Sequence, residues 1–232
     1  MDIKKNKDNM YPWVDTKRNF IGGECPHRCG YCYVTRMKKR FPGVRNRYTG
    51  PLYLLERELS KNEGRGHMVF VQDCGDLFAR GVPSDWIAKV LDHSGKYPGN
   101  TYLFQSKNPE RFIEFSGRFP ARTILGTTIE TNRTNTLSLA PDIHDRARYI
   151  KVAREKGYRV MISIEPILDF DHDQFVQIIK DISPAFVSVG ADSKGYGLPE
   201  PDGDKIKKLV EELKGFVEVR LKSNLKRLMH NC

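Results

Sequence analysis

Three cysteines lie within eight residues of one another near the start of the 232-residue chain: Cys25, Cys29 and Cys32. Their spacing is C-x3-C-x2-C, so one short loop carries three thiols. The other two cysteines, Cys74 and Cys232, are isolated, and an odd number with one tight cluster is a poor disulfide framework. In a reducing compartment, clustered thiols usually bind metal. The loop is therefore a candidate metal site.

Two metal chemistries fit this loop. Iron–sulfur clusters normally take four thiolates, so three cysteines leave one iron open to an exogenous ligand, as the open position of a catalytic zinc site does. The alternative is a structural zinc ion that takes its fourth ligand from His27 or Cys74. Structural zinc sites usually show two ligand pairs, and the sequence has no second pair. The motif favours the cluster, and we expect His27 to be a polar loop residue.

Short apolar segments alternate with amphipathic segments along the rest of the chain. Strands are predicted at 18–22, 67–71, 101–105, 122–127, 158–164 and 185–190, with a seventh candidate at 216–221. Helices are predicted at 51–60, 84–91, 109–115, 145–156, 173–182 and 205–213, and 35–50 is expected to be a basic loop. This alternation indicates parallel βαβ units and an α/β fold, a partial (β/α)6 TIM-like barrel. In such barrels the chemistry lies at the C-terminal ends of the strands.

The composition is that of a globular protein. Hydrophobic residues make up 39% and charged residues 29%, which argues against wholesale disorder. We expect a single domain over 1–232, with an N-terminal extension at 1–16, a cluster-binding loop at 24–34 and a C-terminal extension at 216–232. No stretch approaches the roughly 18 consecutive apolar residues of a membrane span, and the basic start lacks an apolar signal region. We expect a cytoplasmic protein without a membrane partner.

The segment ECPHRCGYCY, at the end of the first predicted strand, resembles the signature of the radical S-adenosylmethionine (SAM) superfamily. That signature has an aromatic residue before its third cysteine, and Tyr31 stands there. The resemblance implies a 4Fe–4S cluster on Cys25, Cys29 and Cys32, with SAM chelating the fourth iron. It also implies reductive cleavage of SAM to a 5′-deoxyadenosyl radical, which abstracts hydrogen from a substrate or adds to it.

Other segments resemble a small branch of this superfamily associated with phage and mobile elements: QDCGDLF, FQSKNPERF, IETN, ISIEPIL and SVGAD. That branch has no settled substrate. Spore photoproduct lyase is a more distant analogue, similar only in the cysteine loop.

Polar residues that follow the predicted strands are candidates for contacts with SAM. Gly75 and Asp76 follow the second strand, where the superfamily often has a Gly-Gly-Glu segment that meets the methionine amino group; a helix start that favours acids is an equal alternative. Lys107 is a candidate for pairing with the methionine carboxylate or a substrate anion, with a solvated lysine at a helix start as the alternative, and Glu130 is a candidate for binding ribose hydroxyls. The full set of cofactor-binding candidates is Tyr31, Gly75, Asp76, Ser106, Lys107, Glu130 and Glu165.

The chain is basic, with 39 Lys and Arg against 29 Asp and Glu and a formal net charge of +10. Six of these cations follow the cysteine loop, interleaved with aromatic residues: Arg36, Lys38, Lys39, Arg40, Arg45 and Arg47, with Phe41 and Tyr48. A second basic stretch spans 220–227. Such surfaces bind phosphates and stack bases, which suggests a nucleic acid or nucleotide substrate. Docking of a small acidic electron donor, flavodoxin or ferredoxin, and an ordinary solvated face are the competing interpretations.

Three functional hypotheses follow. The leading one is a radical SAM enzyme of unidentified substrate. The second is a non-catalytic nucleic-acid-binding module that zinc or an iron–sulfur cluster orders. The third is electron transfer. A chain of this size, with polar residues after many of its strands, has more structure than electron transfer requires. Metal content and SAM cleavage separate the three.

Overall fold

The computed structural model describes residues 11–134 and 136–229. Nine strands lie within these residues: β1 (Thr16–Arg18), β2 (Ile21–Gly22), β3 (Tyr53–Leu54), β4 (Met68–Val71), β5 (Thr101–Gln105), β6 (Thr123–Thr128), β7 (Arg159–Ile164), β8 (Phe186–Val189) and β9 (Glu218–Leu221). The same residues form eight α-helices: α1 (Tyr33–Arg40), α2 (Pro42–Arg47), α3 (Ser84–Gly95), α4 (Glu110–Glu114), α5 (Ile143–Glu155), α6 (His172–Ile182), α7 (Gly203–Lys214) and α8 (Lys226–Met229). Short 3-10 helices span Glu56–Ser60 and Ser223–Leu225.

Seven of the strands form one parallel sheet in the order β1-β4-β5-β6-β7-β8-β9. From β4 onward each neighbour in the sheet is also the next sheet strand along the chain, and α3 to α7 lie in the connections. Strands β2 and β3 form a separate antiparallel pair. The predicted α/β fold, a partial TIM-like barrel, is confirmed. The seventh candidate strand is also confirmed, so the sheet has one strand more than the six units predicted.

Side chains alternate between the two faces of this curved sheet, as they do in barrels. One face packs on the helices in a large apolar core that includes Val69, Phe104, Leu125 and Ile162. The other face forms a smaller inner cluster with one residue from each of five strands: Phe70, Leu103, Ile124, Met161 and Phe186. The inner cluster fills the barrel below the strand ends, so the polar residues that follow the strands lie above an apolar floor.

The barrel has an open seam. Within the described residues, β1 pairs only with β4 and β9 pairs only with β8, so these two edge strands do not pair with each other. The segment before β1 packs into the inner cluster, where Tyr11 is fully buried and Trp13 meets Phe186 edge-on at 5.3 Å. Residues 11–14 of the predicted N-terminal extension are thus part of the packed structure, and residues 1–10 lie outside the described residues.

The expectations for the strand at 18–22 and the helix at 51–60 are wrong. The strand expected at 18–22 is divided into β1 and β2, because the Gln72 side-chain oxygen accepts hydrogen bonds from the Phe20 and Ile21 N–H groups. The helix expected at 51–60 is instead β3 followed by the 3-10 helix at Glu56–Ser60. The apolar residues of this segment do not form one helical face. Leu54 lies in β3, and Leu52 and Leu59 pack partly against the core.

The basic segment at 35–50, expected to be a loop, contains most of α1 and all of α2. The apolar residues of α1 recur with helical spacing, at Tyr33, Val34 and Met37, but Lys and Arg fill most of the rest of α1, and no residue of α2 is buried. Lys, Arg and Met are good helix formers, and Pro42 suits the first position of α2.

The remaining elements agree with expectation to within a few residues. Gly157 follows the end of α5 with a φ of 91°, the left-handed conformation expected of it. Ser84, expected to cap α3, is its first residue, with Pro83 at the cap position. The segment predicted as a C-terminal extension supplies β9 and α8, and Cys232 lies outside the described residues. No helix among the described residues is long and apolar enough to cross a membrane.

Candidate active site

The three clustered cysteines lie on the wall of a cavity of about 900 Å³. Cys25, Cys29 and Cys32 are each partly buried in the segment that runs from β2 to α1. The cavity also reaches residues after β4, β5, β7 and β8, which places it at the C-terminal end of the parallel strands. Its volume is in the range of sites for small organic ligands.

Backbone hydrogen bonds fix the shape of the cysteine loop. The Arg28 N–H donates to the Cys25 carbonyl and the Cys32 N–H to the Cys29 carbonyl, both within turns. The Gly30 N–H donates to the carbonyl of Leu137, which ties the loop to the segment after β6. A Cβ added at Gly30 would make only an ordinary 3.6 Å contact, with the Leu137 carbonyl oxygen.

Gly23, just before the loop, is where glycine is required. Its φ is +90°, and a Cβ would lie 2.2 Å from the Pro51 carbonyl oxygen. We expect Gly23→Ala to lower the free energy of unfolding by at least ~2 kcal/mol, because an unfavourable φ and a backbone clash combine. Gly43→Ala in α2 is the matched control, since that site is open, and it should be neutral or stabilising by up to about 1 kcal/mol. Urea unfolding of both variants measures this, and equal stabilities would contradict it.

His27 and Asp76 join the cysteine loop to the end of β4. The two side chains are buried, and His27 Nε2 lies 2.7 Å from Asp76 Oδ2. The same carboxylate oxygen accepts from the Ser106 hydroxyl and from the Lys107 backbone N–H, and Oδ1 accepts from the Phe78 N–H. Burial opposes ionisation of Asp76, but His27 and these donors hold the pKa of the carboxyl below its ordinary value. Asp76 therefore binds three parts of the chain together.

A second buried network lies beneath Tyr31. Glu130 has no exposed surface, and its Oε1 contacts both the Tyr31 hydroxyl and the Lys107 ammonium. Its Oε2 accepts from Arg146 Nη1 at 2.9 Å, and Lys107 Nζ also donates to the Tyr31 hydroxyl at 3.0 Å. Burial alone would raise the pKa of Glu130, but the two cations, Lys107 and Arg146, hold it at about 2. The carboxylate is thus ionised and neutralised by two cations.

Burial favours the protonated form of two thiols in this site, Cys25 and Cys32. Burial raises the pKa of Cys25, and the nearby Asp76 carboxylate raises it further. Burial also raises the pKa of Cys32. Because metal binding requires thiolates, occupation of the site would release protons from these groups.

The structure brings most of the predicted site residues to one cavity. Its wall includes the three cysteines and six of the seven predicted cofactor-binding residues: Tyr31, Gly75, Asp76, Ser106, Lys107 and Glu165. Glu130 is behind the wall, with both oxygens taken by the chain's own donors. Ser106 is also engaged, since its hydroxyl donates to Asp76 and accepts from the Asn108 N–H.

Glu165 belongs to a separate polar group on the same wall. Its carboxylate pairs with Lys222 Nζ at 2.6 Å and accepts a longer hydrogen bond from Asn224. Lys222 and Asn224 follow β9, and Lys222 also lies 5.1 Å from the ring centre of Tyr11. The sequence singled out Lys222 only as part of a basic stretch and gave no sign of Asn224 or Tyr11, because these contacts join the two ends of the chain.

Within the described part of the chain, no three His, Cys, Asp or Glu side chains converge as the ligands of one metal ion would. The three thiols therefore share a cavity wall without meeting at a single point. A cubane places each thiolate on a different iron, whereas a zinc ion needs all its ligands around one atom. The donor set, three thiols on one loop beside an open cavity, fits a cluster that takes one thiolate on each of three irons.

A family model described as "Protein of unknown function (DUF5131)" matches residues 12–182, well over half of the chain. The chain belongs to the DUF5131 family. The matched region of this DUF5131 protein contains the cysteine loop and both buried networks, and it ends before β8 and β9. No curated protein matches the sequence.

Solved structures share the fold. A spore photoproduct lyase variant with bound AdoMet and dinucleoside spore photoproduct has a TM-score of 0.66 and 10% identity over 94% of this chain and 79% of that one. Streptococcus suis SuiB bound to S-adenosylmethionine has a TM-score of 0.56 and 10% identity over 90% of this chain and 50% of that one. At such low identity the likeness is one of fold, and it agrees with the TIM-like barrel described above.

Proposed function

We propose that this DUF5131 protein is a radical SAM enzyme. Cys25, Cys29 and Cys32 would bind a 4Fe–4S cluster, and SAM would fill the position left open on the fourth iron. The observation that carries the proposal is the place of the C-x3-C-x2-C loop, whose thiols line a cavity of about 900 Å³ at the strand ends. Two proteins of similar fold, spore photoproduct lyase and SuiB, were solved with bound AdoMet or S-adenosylmethionine, which supports it. When bound and reduced, this cofactor pair supplies a 5′-deoxyadenosyl radical that abstracts hydrogen from a substrate or adds to it.

The chain's own residues position and shield this chemistry. The His27–Asp76 pair and the Tyr31 hydroxyl hold the cysteine loop against β4, β5 and β6. The apolar layer below the cavity excludes water from the barrel. Because Asp76 and Glu130 have their oxygens occupied, we propose that they position the loop and Lys107 rather than contact SAM directly. Gly75 and Lys107 remain candidates for direct contact, and so does Glu165, whose carboxylate is partly exposed on the cavity wall and has only Lys222 and a longer hydrogen bond from Asn224.

Anaerobic reconstitution with iron and sulfide tests the proposal. We expect one 4Fe–4S cluster per chain, an electron paramagnetic resonance signal that changes when SAM is added, and 5′-deoxyadenosine after reduction with dithionite. A zinc-loaded chain, or a reduced cluster that leaves SAM intact, would overturn it. In the cell, we propose a small acidic electron donor of the flavodoxin or ferredoxin type as the reductant.

Lys107 is proposed to pair with the carboxylate of SAM. Its ammonium has three N–H donors, two of which contact Glu130 and Tyr31, and the side chain lies on the cavity wall. We expect Lys107→Met to weaken SAM binding by about 10- to 100-fold, the value of a hydrogen bond to a charged group. Equilibrium titration of the reconstituted enzyme with SAM measures this. Lys89→Met, at an exposed lysine of α3, should bind SAM like the unaltered chain, and a change of less than twofold in Lys107→Met would reject the assignment.

A further inference from the structure

Helices α1 and α2 form a surface, here termed the basic hairpin, that carries positive charge alone. The segment from Tyr33 to Arg47 contains six Lys or Arg and no Asp or Glu. Lys39, Arg40 and Arg45 are exposed, and Lys38 is half-buried at the edge of the cavity. The basic hairpin begins directly after Cys32, so this charge lies beside the candidate active site.

Most of this charge lacks compensation from the chain itself. Arg47 approaches Glu58 only at 4.0 Å, and Arg36 contacts the Gly195 carbonyl and the Tyr196 ring. Among the ion pairs formed by the described residues, none involves the other four cations of the basic hairpin: Lys38, Lys39, Arg40 and Arg45. Unpaired cations this close together repel one another, which destabilises the fold, and they attract anions.

The second basic stretch behaves differently. Lys222 pairs with Glu165, Arg227 pairs with Glu200, and Arg220 pairs with Glu218 and stacks over the Phe186 ring at 3.8 Å. These three cations therefore have partners within the fold. Lys226, the fourth cation of this stretch, is exposed, so most of the charge available to a partner molecule belongs to the basic hairpin.

Phe41 joins the basic hairpin to the cavity. It stands between α1 and α2, it is 45% exposed, and its ring lies 5.2 Å from the Arg40 guanidinium. Phe41, Met37 and Lys38 also line the same cavity as the three cysteines. An exposed aromatic ring between cations, at the mouth of a cavity, is the arrangement with which proteins stack the bases of a single strand.

We infer that the basic hairpin binds the phosphate backbone of a single-stranded nucleic acid, and that Phe41 stacks on a base at the mouth of the cavity. The inference rests on the proposed function in one respect: the nucleotide next to Phe41 is the substrate that the cavity receives. An acidic electron donor would also meet positive charge here, but it needs only a surface. An aromatic ring that continues the surface into a cavity of about 900 Å³ favours a ligand that enters.

Fluorescence anisotropy with a labelled single-stranded DNA or RNA of about 16 nucleotides tests the inference. The charge variant is Lys38→Gln, Lys39→Gln, Arg40→Gln and Arg45→Gln together, and Phe41→Ala is made separately. The matched control removes the same charge from exposed lysines on or next to the outer helices α5 and α7: Lys151→Gln, Lys156→Gln, Lys208→Gln and Lys214→Gln. Binding is measured over a salt series on the reconstituted protein, and no turnover is required.

We expect the four-residue charge variant to bind at least ~30-fold more weakly at low salt and to reduce the slope of log affinity against log salt by about 3. Phe41→Ala should bind the single strand about tenfold more weakly, which is the contribution of one stacked base. The slope of log affinity against log salt should not change in this variant. Equal losses in the charge variant and the control, or loss of flavodoxin binding alone, would overturn the inference. Salt-dependent binding by a chain that fails to cleave SAM would support the surface while ending the proposed function, so the two failures are distinguishable.

Discussion

Cys29→Ala is expected to abolish both the cluster and the reductive cleavage of SAM. Cys29 is the central thiol of the loop, and it lines the same cavity as Lys107. Without it only two thiols remain to hold a cluster that normally takes four. Removal of a residue that only hydrogen-bonds to a metal ligand lowers metal affinity or activity by about 10- to 100-fold. Removal of the ligand itself should therefore lower them by more than ~100-fold. Iron and sulfide content and 5′-deoxyadenosine formation measure the effect.

Cys74→Ala is the matched control for this experiment. Cys74 is also close to the loop in space, although far from it in sequence, but it packs in a small apolar cluster with Val34 and Tyr48. It does not line the cavity among the described residues. We expect Cys74→Ala to keep the cluster and SAM cleavage, with only a modest loss of stability. If Cys29→Ala retained cleavage, or if Cys74→Ala lost the cluster as completely, the assignment of ligands would be wrong.

Glu130→Gln is expected to destabilise the fold by about 3–5 kcal/mol, the cost of removing one partner from a buried ion pair. The side chains of Glu130 and Arg146 are 0% and 3% exposed, so the amide leaves Arg146 buried without a counter-charge. The amide keeps only one acceptor oxygen, so either Arg146 or the Lys107 and Tyr31 pair faces a donor NH2 group in its place. Urea unfolding at neutral pH measures the difference from the unaltered chain.

The effect of Glu130→Gln depends on pH in a defined direction. Ionised Glu130 has a depressed pKa, so its contribution to stability is complete above the ordinary value of 4.5 and is lost as the pH falls towards about 2. The stability difference between the variant and the unaltered chain should therefore be largest near neutral pH and shrink below 4.5. Asp92→Asn, which breaks the exposed pair with Arg118, should cost less than about 1 kcal/mol at any pH. A difference that stays constant down to the acid range would contradict this role of Glu130.

The parts of the fold that the sequence predicts are those with strong local signals. Strands such as Thr101–Gln105 are short apolar runs between turn residues, and their parallel arrangement follows from the helices between them. Helices α1 and α2 are harder to recognise, because they are rich in Lys and Arg and only Val34 among their residues is buried. The division of the first strand depends on the Gln72 amide, a contact between residues about 50 positions apart that no local pattern reveals.

The candidate site shows the same division. Its cysteines are recognisable because their spacing is local, and Lys107 is recognisable because it follows a strand. Polarity and position at a strand end do not show whether a side chain faces the cavity or the interior of the chain. Glu130 is predicted to bind a ribose but is enclosed by Lys107, Arg146 and Tyr31. Only the three-dimensional structure brings Lys222 to the cavity wall and places it 5.1 Å from the centre of the Tyr11 ring.

Within the described residues, the edges of β1 and β9 do not pair with each other, and this has a consequence for the size of ligand that the cavity can hold. A closed ring of strands has a fixed circumference, because widening it breaks ladder hydrogen bonds. Here the sheet can change its curvature at the seam while every pairing from β1 to β9 is kept. Residues on either side of the seam, Lys17 and Lys222, both line the cavity. We therefore expect that the cavity can widen for a large ligand or narrow around a small one without breaking backbone hydrogen bonds of the sheet. Only side-chain contacts would have to change.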